Sequence, residues 1–355
     1  MNDLLAYGPL INTNLESWLR AKEQTMSPTM PLAIDFLDRL RVFATGGKVL
    51  RGCTLCFSYA MCSNGQPPIK AVIQAAMALE LTHSALLMHD DVMDEDAVRR
   101  GQPSLHRQYQ TVAQEQDLAR AGHFGESMAI CSGDAAFFLA FELLSEALRE
   151  LKPQATRTIN RLFTQEFASV SAGQMQDMYL EASRTMPTRQ AIYDMMLAKT
   201  AAYTLALPLA IGALFAHQSS VTVQTLQSIG LHAGTIFQIR DDELGSLGTR
   251  AKLGKPVGAD IRKGKKTLLA YYLFKRCTPK DRTRLMEIFG NPKASAKDIA
   301  TFQELARHYT IPEVLNREVS RLHSRASAQI ARLTVTNQAK IELENLVRFC
   351  ADRQA

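Results

Sequence analysis

The sequence predicts an all-α protein, read as one helical domain over residues 1–355. Apolar residues recur at helical spacing through long stretches, as at Ile73, Met77, Leu81 and Met88. No segment shows the period of two that marks a half-buried strand. Breakers fall between the periodic runs, at Gly46-Gly47, at Asn64-Gly65-Gln66-Pro67-Pro68 and at Pro153.

Taken in order, residues 12–22 read as a short polar helix. Pro31 opens the next, to residue 43, because its fixed φ suits a first helical turn. A helix from the glycine turn to about residue 62 follows, then a long one from about residue 69 into an acidic run. Residues 99–109 read as loop, and residues 123–151 as a long apolar helix. Pro153 starts a helix to about residue 178. Thr188 caps one that reaches residue 215, its hydroxyl placed to accept from the first turn. Residues 222–244 form a further helix, 245–266 read as a Gly- and Lys-rich loop, and amphipathic helices follow at 267–276, 295–308, 311–331 and 337–353.

Composition sets limits on function. Hydrophobic residues make up 46% and charged residues 21%, which is globular rather than disordered. A net charge of +6 comes without an RNP motif, a zinc-finger pattern or a dense basic block, so no nucleic-acid partner is expected. Locally clustered Arg and Lys serve a diphosphate equally well. No basic leader followed by an apolar core opens the chain, and a cytoplasmic location is expected. The longest apolar segment, residues 201–216, contains Pro208 and is short for a membrane span, so no transmembrane segment is expected. Cys53 and Cys56 form a CxxC without a second pair or a nearby His. Together with Cys62, Cys131, Cys277 and Cys350 they read as reduced core thiols.

Two acidic runs carry the chemistry. The first, Asp90-Asp91-Val92-Met93-Asp94, ends an apolar helix. On a helix Asp90 and Asp94 lie one turn apart on one face, and Asp91 about 100° around. Clustered carboxylates repel one another, so a cation is expected between them, and hard oxygen ligands suit Mg²⁺ shared with substrate phosphates. The second run, Arg240-Asp241-Asp242-Glu243-Leu244-Gly245, again ends an uncharged helical stretch. Two such helix ends are expected to face each other across a cavity with metals between them.

These runs lie within an ordered set of motifs. The set comprises Gly46-Gly47-Lys48-Val49-Leu50-Arg51, His83, the first acidic run with Arg99-Arg100-Gly101, Gly133-Asp134, and Gly173-Gln174 with Asp177. It continues with Lys199-Thr200, Phe237-Gln238 with Asp241-Asp242, Gly254-Lys255-Pro256, Asp260 and Gly264-Lys265-Lys266-Thr267. In this the chain resembles the trans-prenyltransferases, the all-E isoprenyl diphosphate synthases, over residues 46–269. The resemblance implies an isoprenoid synthase helical bundle around a central cavity, homodimeric, with two or three Mg²⁺ per subunit. The implied activity is elongation of an allylic diphosphate with isopentenyl diphosphate. It implies metal ligands at Asp90, Asp91, Asp94, Asp241 and Asp242. Cations on the allylic diphosphate are implied at Arg99, Lys199, Lys255 and Lys265, with Thr200 and Gln238 beside them. Lys48, Arg51, His83 and Arg100 are implied for isopentenyl diphosphate. Lys199, Arg99, Asp90 and Asp241 stand closest to the reaction, and the released diphosphate takes the final proton, so no protein base is named.

The chain departs from the family pattern twice. Gly245 stands where many members have the last Asp of DDxxD, and Gly52 stands where Pro is frequent. Product length should follow from what lies below Asp90. Ala85 and Leu86 are one turn deeper, and Phe137 and Phe138 are candidates for a tunnel floor. Small Ala85 argues against a fifteen-carbon stop and for geranylgeranyl diphosphate. The alternatives are a farnesyl or longer-chain synthase, a class I terpene cyclase, and a non-catalytic synthase subunit. A cyclase calls for an NSE/DTE-type second motif where this chain has an Asp pair, and a silent subunit would have lost its acidic runs.

Overall fold

A computed structural model describes residues 2–26, 31–248 and 258–352. Its elements are helices except for one two-stranded hairpin among the described residues. Contacts gather the chain into two compact units. The first holds Asn2–Arg157 and Ile211–His217; the second holds the described parts of Thr158–Ala210 and Gln218–Ala355.

In the first unit, α1 (Asn2–Leu5), α2 (Gly8–Thr25) and α3 (Pro31–Thr45) precede α4 (Leu50–Cys62) and α5 (Lys70–Met93). The expected loop at 99–109 is instead a hairpin and a helix. Strands β1 (Val98–Arg99) and β2 (Gln102–Pro103) pair antiparallel, and α6 runs over Leu105–Glu115. The turn residues Arg100 and Gly101 both have positive φ, 52° and 76°, the backbone of a type I′ hairpin. Helix α6 escapes a composition-based reading because it is polar; only Leu105, Tyr109 and Ala113, at i, i+4 and i+8, form its buried stripe, with His106 beside them. Helix α7 (Ala121–Leu148) packs along both α5 and α6, its contact with α5 being the most extensive in the unit. Helix α5 is apolar on nearly every side and is buried accordingly, with Ala75, Ala76, Ala78 and Ala85 allowing close approach. Cys53, Cys56 and Cys62 lie in this core, and burial pushes the Cys53 thiol up to about 12.

Helix α8 (Pro153–Ala182) passes from the first unit to the second. Helix α9 (Arg189–Met196) follows, with Thr188 Oγ1 accepting from Ala191 N–H as the cap requires. The chain then continues without a break as a π-helix, Leu197–Ala206, and as α10 (Leu207–Phe215). Helix α11 (Ser220–Leu247) lies against the π-helical stretch. Within the expected loop at 245–266, α11 runs through Gly245 to Leu247 and α12 forms over Ala259–Lys263, while residues 249–257 lie outside the described residues. After α13 (Leu268–Arg276) comes α14 (Pro279–Ile288), which the sequence reading passed over. Only Leu285 and Ile288 of α14 are buried, so its apolar signal is weak. Helices α15 (Ala296–His308), α16 (Ile311–Arg332) and α17 (Asn337–Ala351) close the unit. Helix α16 buries Ile311, Val314, Leu315, Val319, Leu322, Ala326 and Ile330, one continuous stripe.

By length and composition alone, Lys70–Met93, Ala121–Leu148 and Arg189–Phe215 could each cross a membrane, which the sequence reading did not foresee. In the first and third, 67% of the apolar stretch is buried inside the protein, so its apolarity serves the core.

Candidate active site

In the first unit the acidic run forms the C-terminal end of α5, where the negative end of the helix dipole makes carboxylates unfavourable unless a cation compensates. Asp94 caps the helix and its N–H bonds to Asp90 O at 2.7 Å, so the two residues stand one turn apart as their spacing requires. Asp91 points elsewhere. It is fully buried, and its Oδ1 accepts from Arg99 Nε at 2.7 Å and from Arg99 Nη2. Asp96 lies 3.5 Å from the same guanidinium. Asp91, expected among the metal ligands, therefore serves Arg99 in this structure. The sequence pattern could not show this, because the partner comes from a hairpin eight residues on.

That hairpin also aims Arg100. Its Nη1 donates to Phe43 O at 2.8 Å, and a Cβ on Gly47 would stand 2.7 Å from its Nη2. The glycine pair thus leaves room for this guanidinium. Arg99 and Arg100 both line a cleft of about 490 Å³ with Phe43 and Gly46. Lys48 is exposed, and next to it Val49 adopts left-handed φ and ψ of 42° each, a strained backbone for a β-branched residue, held by burial.

Behind this cluster lies Glu80, missed by the sequence reading because nothing marks it within an apolar helix. It is 4% exposed and its Oε1 accepts from Gly52 N–H at 2.7 Å. Burial raises its pKa, while Arg51, the Gly52 bond and Arg100 oppose the rise. One turn on, the His83 imidazole is held well below its usual pKa, first by burial and then by the positive field of Arg51, Arg100 and Arg99. Neutral His83 beside three guanidinium groups is an environment suited to an anion.

Ala85 is fully buried and Leu86 half-buried. Phe137 is half-buried and packs its ring edge-on against His89, centroids 5.7 Å apart. Phe138 is 75% exposed and faces outward, so it forms no internal floor within this unit, contrary to expectation. Neighbouring helical residues point about 100° apart, and the sequence alone did not show which of the two faces in.

In the second unit the π-helical stretch presents Lys199 and Thr200. Lys199 Nζ donates to Asp177 Oδ2 at 2.5 Å, both side chains being mostly buried. A Cβ on Gly173 would come within 2.5 Å of Lys199 N, so the glycine permits α8 to approach backbone to backbone. Gln174, beside it, is 7% exposed, and neither polar atom of its amide has a hydrogen-bond partner among the described residues. Such a group calls for water or a ligand. The π-helix itself carries no sequence signature that period analysis detects, yet such segments are frequent at functional sites.

On α11, Gln238 Nε2 donates to Asp242 Oδ1 at 2.6 Å. Asp241 is exposed. The Asp242 carboxyl is held well above the usual range, first by burial, then by the fields of Asp260 and Asp241, against the Gln238 bond. Asp260 lies over Gly245, where a Cβ would overlap its Oδ2. Lys265 is half-buried after the positive-φ turn at Gly264. Lys255 lies outside the described residues.

Among the described residues no three His, Cys, Asp or Glu side chains form a preformed metal cage. The donor set nevertheless fits Mg²⁺. It offers hard carboxylate oxygens, and one of them is so disfavoured as an anion that a cation would relieve it; Mg²⁺ takes one or two protein carboxylates and completes its shell with water and phosphate.

Comparison with known proteins places the chain in context. The polyprenyl synthetase family matches residues 39–306. A geranylgeranyl diphosphate synthase of Sulfolobus acidocaldarius is 34% identical over 275 residues, 78% of this chain and 77% of that protein. One of Saccharolobus solfataricus is 31% identical over 316 residues, 88% of each. Among solved structures, the geranylgeranyl pyrophosphate synthase of Corynebacterium glutamicum, complexed with isoprenyl diphosphate and magnesium, superposes with a TM-score of 0.92 at 29% identity, covering 99% of both chains.

Proposed function

The chain belongs to the polyprenyl synthetase family and is a trans-prenyltransferase, and we propose that it extends an allylic diphosphate with isopentenyl diphosphate to geranylgeranyl diphosphate. Mg²⁺, when bound, neutralises the diphosphate leaving group and acts as Lewis acid and template. On α5 the residues that would hold such an ion are Asp90 and Asp94, and on α11 they are Asp241 and Asp242. Loss of the leaving group creates an allylic cation, and each cation of the protein that meets the departing diphosphate lowers the barrier by being oriented beforehand. Lys199 and Arg99 take this part, Lys199 tethered by Asp177 and Arg99 by Asp91. Lys265, Thr200 and Gln238 complete the allylic side. Isopentenyl diphosphate, without a metal, is held by Lys48, Arg51, Arg100 and neutral His83.

The observation that carries this reading is the end of α5, where Asp90 and Asp94 stand one turn apart while Arg99 is fixed by a different carboxylate. Small, buried Ala85 below Asp90 supports a tail longer than fifteen carbons.

The outward face of α7 supports a homodimer. Ile130, Phe138 and Phe141 are 44%, 75% and 42% exposed, an apolar stripe larger than single surface residues leave. A second copy of the same helix is the occupant proposed.

The test is incubation of purified protein with isopentenyl diphosphate and dimethylallyl, geranyl or farnesyl diphosphate in turn, with Mg²⁺ or with excess chelator. A ladder ending at twenty carbons, abolished by the chelator, is expected. No elongation from any starter by folded protein would sink the proposal, and a different end point would correct the product.

A further inference from the structure

The second unit contains another cleft, of about 710 Å³, whose lining includes none of Lys199, Gln238, Asp241, Asp242 and Lys265. It lies between the end of α8, the turn after α12, and helices α13 and α14. Four cations line it, Arg184, Lys263, Lys266 and Arg282, against one carboxylate, Glu181. An adjacent wall is apolar, formed by Phe274, Met286 and Phe289. The aromatic part of that wall is fixed from behind, because Phe289 stacks on Phe302 with ring planes 11° apart.

Lys266 is the informative residue. It is 7% exposed, a degree of burial that lysine rarely shows unless paired. Its Nζ donates to Gly264 O at 3.0 Å and stands 5.0 Å over the Phe289 ring. An ammonium carries three donors, and one carbonyl uses one of them. Burial lowers its pKa and Glu181 opposes this only in part, so its charge is poorly compensated. Arg282, whose Nη2 donates to Phe274 O at 2.8 Å, is fixed at the same cleft. Excess positive charge, a buried ammonium with donors to spare and an adjacent apolar wall together describe a receptor for an anion with an apolar body.

We propose that this cleft is a second anion site, which takes a phosphate or diphosphate ester carried on an apolar body. Prenyl diphosphates and nucleotides share that chemistry. The use of a prenyl ester as first probe rests on the synthase reading; the anion site itself does not.

The test is calorimetric titration of the full chain in chelator with geranylgeranyl diphosphate, adenosine diphosphate and geranylgeraniol. Wild type is compared with the double variant Arg184→Gln/Lys263→Gln and with Lys266→Met. Arg184 is exposed and Lys263 half-buried, so the double variant is expected to keep the fold even where Lys266→Met disturbs it. One class of diphosphate-ester binding should weaken at least about tenfold in the double variant, elongation with saturating substrates should stay unchanged, and the alcohol should not occupy the site. Loss of the prenyl ester alone assigns the cleft to isoprenoids, and loss of adenosine diphosphate binding as well assigns it to phosphate esters in general. Identical stoichiometry and affinity for both esters in wild type and double variant would overturn the site. Elongation is assayed on the same wild-type sample, so failure of the synthase reading shows itself separately from failure of this one.

Discussion

The carboxylate of Asp260 occupies the space that a side chain at Gly245 would need: a Cβ there would overlap Oδ2 and stand 3.0 Å from Cγ. The residue that departs from the DDxxD pattern is therefore small because a carboxylate from α12 fills its place. Gly245→Asp is expected to impair the protein instead of restoring a motif. Overpacking costs about 1–3 kcal/mol, more than the few tenths gained by replacing a helical glycine. The added charge also faces Asp242, already disfavoured as an anion. Chemical denaturation and the Mg²⁺ dependence of elongation check this; a variant as stable and as active as wild type would show that Asp260 moves freely aside.

The Lys199–Asp177 pair makes a sharper prediction. Removing one preorganised donor at a developing negative charge costs about 10²–10³ in rate. Lys199→Met should fall in that range in kcat. Asp177→Asn, which keeps shape but frees the ammonium, should lose less in kcat while destabilising the fold. Gly173→Ala should resemble Asp177→Asn, because it pushes the Lys199 backbone away. Steady-state kinetics with both substrates saturating distinguishes the three.

Gly52 offers its N–H to Glu80, and proline has none. Gly52→Pro should leave a buried carboxylate oxygen short of a donor, at a cost of about 1–3 kcal/mol. Glu80 faces Arg51 and Arg100, so the Michaelis constant for isopentenyl diphosphate should rise more than that for the allylic substrate. An equal rise in both would mean that Glu80 is structural only.

Acid should weaken the fold through histidine. His83 is held well below its usual pKa, and His106 and His232 are also lowered. The unfolded chain binds protons near pH 6.5 that the native fold refuses, so ν_U exceeds ν_N and stability rises with pH there. The contribution of His83 is thus complete above about pH 6.5 and is lost as pH falls toward its folded value. Urea midpoints between pH 7.5 and 5.5 should drop more steeply in wild type than in His83→Gln. Parallel curves would remove His83 as the cause.

Chain length gives a paired test on α5 and α7. Ala85→Phe places a ring in a fully buried position below Asp90 and should shorten the product. Phe138→Ser, at a 75% exposed position, should leave product length unchanged and weaken self-association. Product chromatography and sedimentation read the two outcomes. A shorter or longer product from Phe138→Ser would return that ring to the tunnel.

The sequence alone determined which segments are helical where an apolar stripe is strong, as on α16, or where a long apolar run is bounded by breakers, as on α5, because both are local properties. It also determined the helix start at Thr188, where one hydroxyl and three following residues suffice, and the one-turn spacing of Asp90 and Asp94. A narrow stripe hid α6 and a weak one hid α14, because their few buried residues stand among polar ones. The rest was settled by tertiary structure. Asp91 and Asp90 are identical in chemistry and adjacent in sequence, yet a hairpin turn delivers Arg99 to one of them. Phe137 and Phe138 read alike until the packing of α5 on α7 chooses which faces in. The π-helical stretch at Lys199, and Asp260 over Gly245, depend on which backbones approach within van der Waals distance. Local pattern encodes local geometry; the partner of a buried charge is set by elements that meet only in the folded chain.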